Sequence, residues 1–458
     1  MKERRSGIAL IIVLWLMAIL TLLLYAFLAD MQVEYSIGAG YADGKKAEQL
    51  AWSGIDAACA ALLNDTRPYQ GFNNDPWTAD PSNFFEVPLG DGAYTVFRPL
   101  YDDAQTVLWT PDDEASKINL NTASKAVLLN LPNMTEDLVD AILEWRGTTG
   151  AGASNAGGSS YYNSQNPPYN SKHQPFESLE ELLYVQGMTP ELVFGEDFNL
   201  NGRLEPNEND SDASWPPDNQ DGLINPGLWS LCTVWSVDKN VDAQGKARVN
   251  LNSATEPQLQ AAGLTASEAQ AVVSQRTLLP YVSVAQLLGG ALGPPPPTLS
   301  PARFKLVVDH LTVVPGTTVP GLVNINTAPQ QVLLCLPGIT QDIAVKLMEY
   351  RTTPGNDLSN IGWLLNVVDP AVLQQIANLI TCRSYQYRIN VVGRVGTPYS
   401  GSMGAGSSTG PPERPGAFRR MVAVFDKAAT PNPRLVYWKD QTKLGMPYDP
   451  QDGPYPTQ

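Results

Sequence analysis

The sequence predicts an α+β protein: a long N-terminal helix packed on an antiparallel sheet, with a large, mostly α-helical insertion between them in the chain. Three observations carry this expectation. From Ile8 to Ala29 no charge interrupts a run rich in Leu, Ile and Ala, and apolar residues continue at helical spacing beyond it. Four stretches, DGAYTVFRPL early and SYQYRINVVGRV, FRRMVAVFD and PRLVYWKD late, have the lengths and Gly/Pro punctuation of antiparallel strands. Between them one helical motif occurs three times.

The N-terminus opens MKERRSGIALIIVLWLMAIL. Lys2, Arg4 and Arg5 form a basic head, and the apolar run that follows exceeds the roughly 7 to 15 residues of a secretory signal core. It matches the roughly 20 residues needed to cross a bilayer. The basic head stays cytoplasmic, so everything after Ala29 is expected on the far side of the membrane. A simple single-span anchor satisfies these facts. So does a second reading, because RRSG directly before an unbroken apolar helix resembles the leader of type IV pilins and pseudopilins. That resemblance implies cleavage after Gly7 by a membrane prepilin peptidase and a mature chain starting, methylated, at Ile8. Past the run, Ala47, Leu50, Ala51, Ile55, Ala58 and Leu62 keep helical spacing, so the helix is expected to continue to about Asn64.

The three motif copies are INLNTASKAVLLNLPNMTEDLVDAILEWR (118–146), VNLNSATEPQLQAAGLTASEAQAVVSQR (249–276) and VNINTAPQQVLLCLPGITQDIAVKLMEYR (323–351). Each starts with an apolar/Asn alternation suited to a short strand end. Thr122, Ser253 or Thr327 then stands where a helix N-cap is expected. A short helix with Leu128, Leu259 or Leu333 in its core follows, then a break and a second helix ending in Arg. The motif resembles the helix-hairpin-helix fold, which often binds DNA. Here the second glycine of the phosphate-binding turn is Thr135, Thr265 or Thr340, and Glu136, Asp137, Glu268 and Asp342 flank the turns. Phosphate would be repelled. The net charge of −16 points the same way, so protein packing is expected and no nucleic acid.

Between the first two copies, Asp197, Asn199, Asn201, Gly202 and Glu208 fit D-x-[DN]-x-[DN]-G-x5-E, with Leu204 at the position that normally enters the core. Alternate side chains would supply oxygens to a calcium ion, Gly202 the sharp turn, Arg203 a carbonyl, and Glu208 a closing carboxylate. A second calcium cluster, PPDNQDGLIN, carries Asn219 and Asp221 in register, but Pro217 occupies the first ligand position. Asp210, Asp212 or Asp218 could replace it; the other reading is a solvated acidic turn.

The four cysteines form no CxxC pair; Cys335 reads as core, and Cys232 and Cys382 read as bridged or free. His173 and His310 join no evident nucleophile or ligand set, so no enzyme and no catalytic residue is expected.

Leader, spanning helix, NLNTA-type repeats, DFNLNG loop and terminal strands together resemble the general secretion pathway protein K family, the large minor pseudopilins of type II secretion. The resemblance spans nearly the whole chain. It implies a non-catalytic subunit at the tip of the periplasmic pseudopilus. There it would initiate or cap assembly with other minor pseudopilins, anchored by a single pass in the inner membrane of a Gram-negative bacterium. Major pilins carry Glu at the fifth mature position; here that position is Ile12, as is characteristic of this family. A minor pseudopilin of a type IV pilus or DNA-uptake system is the alternative. The expected layout is a leader (1–7), a spanning helix (8–29), a first pilin-like part (30–114), an inserted helical domain (115–380) holding the calcium loop (197–208), terminal strands (381–446) and a tail (447–458). Segments 147–171, 293–301 and 400–416 read as surface insertions.

Overall fold

The computed structural model describes residues 6–65, 67, 80–101, 106–148, 158–211, 213–289, 298–396, 416–429 and 432–448. The first five leader residues, Asp212, residues 149–157, most of the other two surface insertions and the tail from 449 lie outside them. The first expected insertion is not all surface: its described part holds the helix Gly158–Asn163, whose Tyr162 is fully buried in the core.

One helix runs unbroken from Ser6 to Asn64, about 88 Å at 1.5 Å per residue. It is long and apolar enough near its N-terminus to cross a membrane. Its C-terminal part lies on a seven-stranded antiparallel sheet. Gln386–Val395 is the central strand, paired with Phe418–Asp426 on one side and with Gly92–Leu100 and Asp112–Asp113 on the other. Arg434–Asp440 continues the sheet past Phe418–Asp426, and Val87–Leu89 and Thr106–Leu108 pair with opposite ends of Gly92–Leu100. All four strands read from the sequence are present; the short ones, two or three residues each, lack enough alternation to be read.

Ala51, Ile55, Ala58 and Leu62 are buried with Val96, Ile389, Val391 and Ala423 in one core, and Ala47 is buried as well. The small residues let the helix approach closely. At Gly393 an added Cβ would stand 2.2 Å from the Ala47 carbonyl oxygen and 2.3 Å from the Ala51 nitrogen. Only glycine fits on the strand where the helix backbone rests on it.

The insertion forms a second, larger core of its own, from Ile118 to Cys382. Each motif copy is a helix pair: Lys125–Leu129 with Glu136–Trp145, Glu256–Ala261 with Ala266–Leu278, and Gln330–Leu334 with Gln341–Thr352. Leu128, Leu259 and Leu333 are fully buried. Thr122, Ser253 and Thr327 are not N-caps. The caps are Ser124, Thr255 and Pro329, two residues later. The chain first makes a turn, with Ala123, Ala254 and Ala328 amides donating to the carbonyls of Asn119, Asn250 and Asn324, and this turn delays each helix.

Thr135, Thr265 and Thr340 cap the second helices, accepting from the amides of Leu138, Glu268 and Ile343. A hydroxyl therefore satisfies helix donors at the place where a DNA-binding hairpin would carry its second glycine.

The repeat is longer than the hairpin. Each opening strand pairs in parallel with a two-residue strand far downstream: Ile118–Asn119 with Cys232–Thr233, Val249–Asn250 with Leu311–Thr312, and Val323–Asn324 with Ile380–Thr381. Between hairpin and closing strand lies a 3₁₀ turn, at Leu179–Tyr184, Val284–Leu288 or Ile361–Asn366. The second Asn of each NLN or NIN sequence holds the chain ahead of that turn. Asn121 brackets Phe176, Asn252 brackets Tyr281, and Asn326 donates to the Leu358 carbonyl at 3.0 Å. The closing arginines point back to the entry turn: Arg146 to the carbonyls of Leu120 and Ala123, Arg276 to Leu251, Arg351 to Ile325 and Ala328. Arginine suits this task because its planar fork reaches two carbonyls from one buried side chain. Cys232, Cys335 and Cys382 are buried, and all four cysteines are free thiols.

Candidate functional site

The first repeat contains an insertion absent from the others, and the acidic loop lies in it. Asp197 is fully buried at its centre. One carboxylate oxygen accepts from the Asn201 amide at 2.9 Å, the other from the Gly202 amide at 2.8 Å and the Tyr101 hydroxyl at 2.9 Å. Asn199 accepts from the Asn201 amide at 3.0 Å, and Asn201 from the Arg203 amide at 2.7 Å. These are Asx turns, the local bonding that winds a polar loop tightly. Gly202 has φ +71°, and an added Cβ would meet Pro99 at 2.5 Å. Leu204 is half-buried, and Leu200 is the loop residue in the core.

The loop is seated on the sheet. Arg420, from the strand next to the central one, donates to the carbonyls of Asn199 and Leu200 at 2.8 Å each. Burial lowers its pKa to about 10, and Asp197 works against that shift. Thus the chain's two cores meet at this loop, with Tyr101 and Arg420 reaching it from the sheet side.

Glu208 is 2% exposed and its amide-proximal oxygen accepts from Glu205 N at 3.1 Å. Its pKa rises to about 8, first through burial and then through the charges of Asp197, Glu205 and Glu196. Glu205 in turn accepts from the side-chain amides of Asn199 and Asn201, at 2.9 and 3.0 Å. Burial also raises Asp197. Negative groups are therefore held together at a cost that a cation would remove. Among the described residues no three Asp, Glu, His or Cys side chains form a metal-binding group by themselves. The donor set is instead mixed, with carboxylate, amide and backbone oxygens, as suits a hard cation.

Sequence reading did not single out Glu205, which occupies the ninth position counted from Asp197, nor Glu196, which pairs with Asn225. Counting loop positions would have found Glu205. Tyr101 and Arg420 are 96 and 223 positions away from Asp197 in the chain, and no motif links them to it.

The second cluster is a network of turns. Asp218 accepts from the amides of Asp210, Ser211 and Gln220, and Asn219 and Asp221 bond to each other at 3.0 Å. Asp210 caps Ser214. Asp212 lies outside the described residues. At the other end of the chain, Gly7 and Ile8 stand in the first turn of the long helix. His173 bonds the Glu144 carbonyl at 3.2 Å and His310 bonds Asp242 at 3.0 Å, both structural pairings.

The family model of the type II secretion system protein K matches residues 112–194. Over those residues the chain resembles that family. The match begins at the Asp112–Asp113 strand, takes in the whole first hairpin and ends with the Pro190–Phe194 helix. The acidic loop thus starts just beyond the matched segment. A chain in the crystal structure of the GspK-GspI-GspJ complex from the enterotoxigenic Escherichia coli type 2 secretion system is similar at 14% identity. The similarity covers 90% of this chain and 98% of that one, with a TM-score of 0.39. No curated protein matches the chain.

Proposed function

We propose that this chain is a minor pseudopilin of the protein K type, anchored in the inner membrane, with its two-core body in the periplasm and its place at the tip of the pseudopilus. One observation carries the reading. The long helix is seated on the sheet only in its C-terminal part, and between the apolar span and that part Met31, Val33, Tyr35, Ile37 and Tyr41 are 51 to 79% exposed. A helix that is apolar yet uncovered outside the bilayer calls for a partner surface. Neighbouring minor pseudopilins would supply it, helix against helix.

The tip position rests on two features. Ile12 lacks the carboxylate with which a subunit would pair with a neighbour's N-terminal amine inside an apolar environment. The repeats from about 118 to 381 add a bulk that leaves little room for a further subunit above. Prepilin peptidase would release the chain at Gly7–Ile8. Calcium would be held by Asp197, Asn199, Asn201, the Arg203 carbonyl, Glu205 and Glu208, and its role would be to fasten the insertion to the sheet.

Co-expression and co-purification of the full chain with the other minor pseudopilins tests the proposal. A stable complex that is weakened by Tyr35→Glu or Ile37→Glu is expected. A chain that ignores those partners and forms regular homopolymers would overturn the tip assignment.

A further inference from the structure

A cavity lies at the seam between the sheet and the repeats, beside the acidic loop but separate from its oxygen donors. Arg98, Arg388 and Asn390 line it from the sheet, Lys117, Thr327 and Gln331 from the repeats. It leaves about 70 Å³ for the centres of water-sized groups, several times the roughly 10 to 15 Å³ that one water needs. That is room for a small ion or a carboxylate.

The lining carries more positive than negative charge. Three cations face the cavity, and Asp112 is the carboxylate among the lining residues. Lys117 bonds Asp112 at 2.5 Å, and Arg98 stands 3.9 Å from it. Glu114, outside the lining, takes the Nε of Arg388 at 2.6 Å, stands 3.4 Å from the Lys117 ammonium and also accepts from Thr233. Asp113 turns away, toward the hydroxyls of Ser384 and Thr327. Arg388 is 4% exposed; its guanidinium lies 5.2 Å from the Trp229 ring and leaves Nη2 buried with no hydrogen-bond partner. A buried guanidinium donor without an acceptor is rare and costly. The Gln331 amide oxygen is likewise buried and unpartnered; turned end for end, the same amide offers its NH₂ to the cavity.

We propose that this seam cavity binds a small monoanion, a chloride ion or a carboxylate group, held by Arg388 with Lys117, Arg98 and the Gln331 amide around it. The anion completes the shell of Arg388 and ties the sheet to the third repeat, which contributes Thr327 and Gln331. The inference stands apart from the tip assignment, since it needs no partner subunit.

The test uses the full chain in detergent at a fixed calcium concentration, with sodium chloride as the probe and the ³⁵Cl NMR line width as the readout. Bound chloride should broaden the line beyond a protein-free control, and acetate should narrow it again. Gln331→Leu, which replaces the amide by an apolar group of similar size, should weaken binding at least threefold, and Arg388→Met should abolish it. Because Arg388→Met could fail to fold, Gln331→Leu decides, its fold checked by an unchanged melting curve in chloride-free buffer. A line that shows no excess width, is insensitive to acetate, or is equally broad in folded Gln331→Leu overturns the proposal; equal breadth would place the chloride on surface lysines.

Discussion

The Nη1 of Arg420 lies 2.8 Å from the carbonyl oxygen of Asn199, so a strand of the sheet directly holds a loop inserted in the first helical repeat. The arginine is 1% exposed and stands over the Phe97 ring at 5.3 Å. Arg420→Met keeps most of the apolar stem but leaves two loop carbonyls unbonded and the Asp197 charge without its nearby cation. Removing one member of a buried polar or ionic arrangement costs about 3 kcal/mol or more. We expect a loss of that order in chemical denaturation. A change under about 1 kcal/mol would mean that the loop is not fastened through this residue.

Calcium and pH should be linked through Glu208. Its pKa in the fold, about 8, lies above the ordinary 4.5. In the cation-free protein the folded state therefore holds a proton that the unfolded state has released. Stability from this group is full below about pH 4.5 and declines as pH rises toward 8. A bound cation would take the place of that proton and flatten the decline. Melting temperatures in chelator should fall across this window more steeply for the wild type than for Glu208→Gln. At a hundredfold excess over Kd, calcium should add about 2.7 kcal/mol, and Glu208→Ala should remove most of that gain. Melting indifferent to both chelator and the substitution would dismiss the loop as a site.

How much of this was legible varies with the range of the interactions. The helix from Ser6 to Asn64 and the four longer strands follow from periodicity, a local property that survives in sequence. The three hairpins were legible as repetition, but their helix starts were misplaced by two residues, because Thr122, Ser253 and Thr327 look like caps while belonging to a turn. The closing strands at Cys232, Leu311 and Ile380 escaped notice. Each is two residues long, and its pairing spans 57 to 114 positions. Likewise the loop's ligand-type residues could be read from spacing, whereas Arg420 and Tyr101 reach it only through the folded sheet.

The closing arginines of the repeats offer a graded test. Arg351 is 1% exposed and donates to two carbonyls, of Ile325 and Ala328, at 3.3 and 2.6 Å. Arg276 is half-buried and donates to one, of Leu251, at 2.8 Å. Buried carbonyls left without a donor cost about 1 to 3 kcal/mol each, less where water can reach them. Arg351→Met is therefore expected to destabilise by about 3 kcal/mol and Arg276→Met by about 1 kcal/mol in urea unfolding. The reverse order would show that these arginines act through something other than the entry turn.

Processing provides the last prediction, and it bears on what the apolar run is for. Gly7 and Ile8 stand in the first turn of a helix that continues without interruption into the sheet-bound segment. Cleavage near Ala29 would divide that helix; cleavage after Gly7 would keep the span and the exposed Met31–Tyr41 region as one rod with the body. A rod that remains attached can first anchor the subunit and later pack within a growing fibre, with the same apolar surface used in lipid and then in protein. Intact-mass measurement of membrane-extracted protein should give a chain beginning at Ile8, with one added methyl group. Gly7→Arg should leave the chain starting at Met1 and still membrane-bound. A wild-type mature start at Met1, or between Ala29 and Gly40, would rule out the prepilin reading and leave the helix as an ordinary anchor or a removed signal.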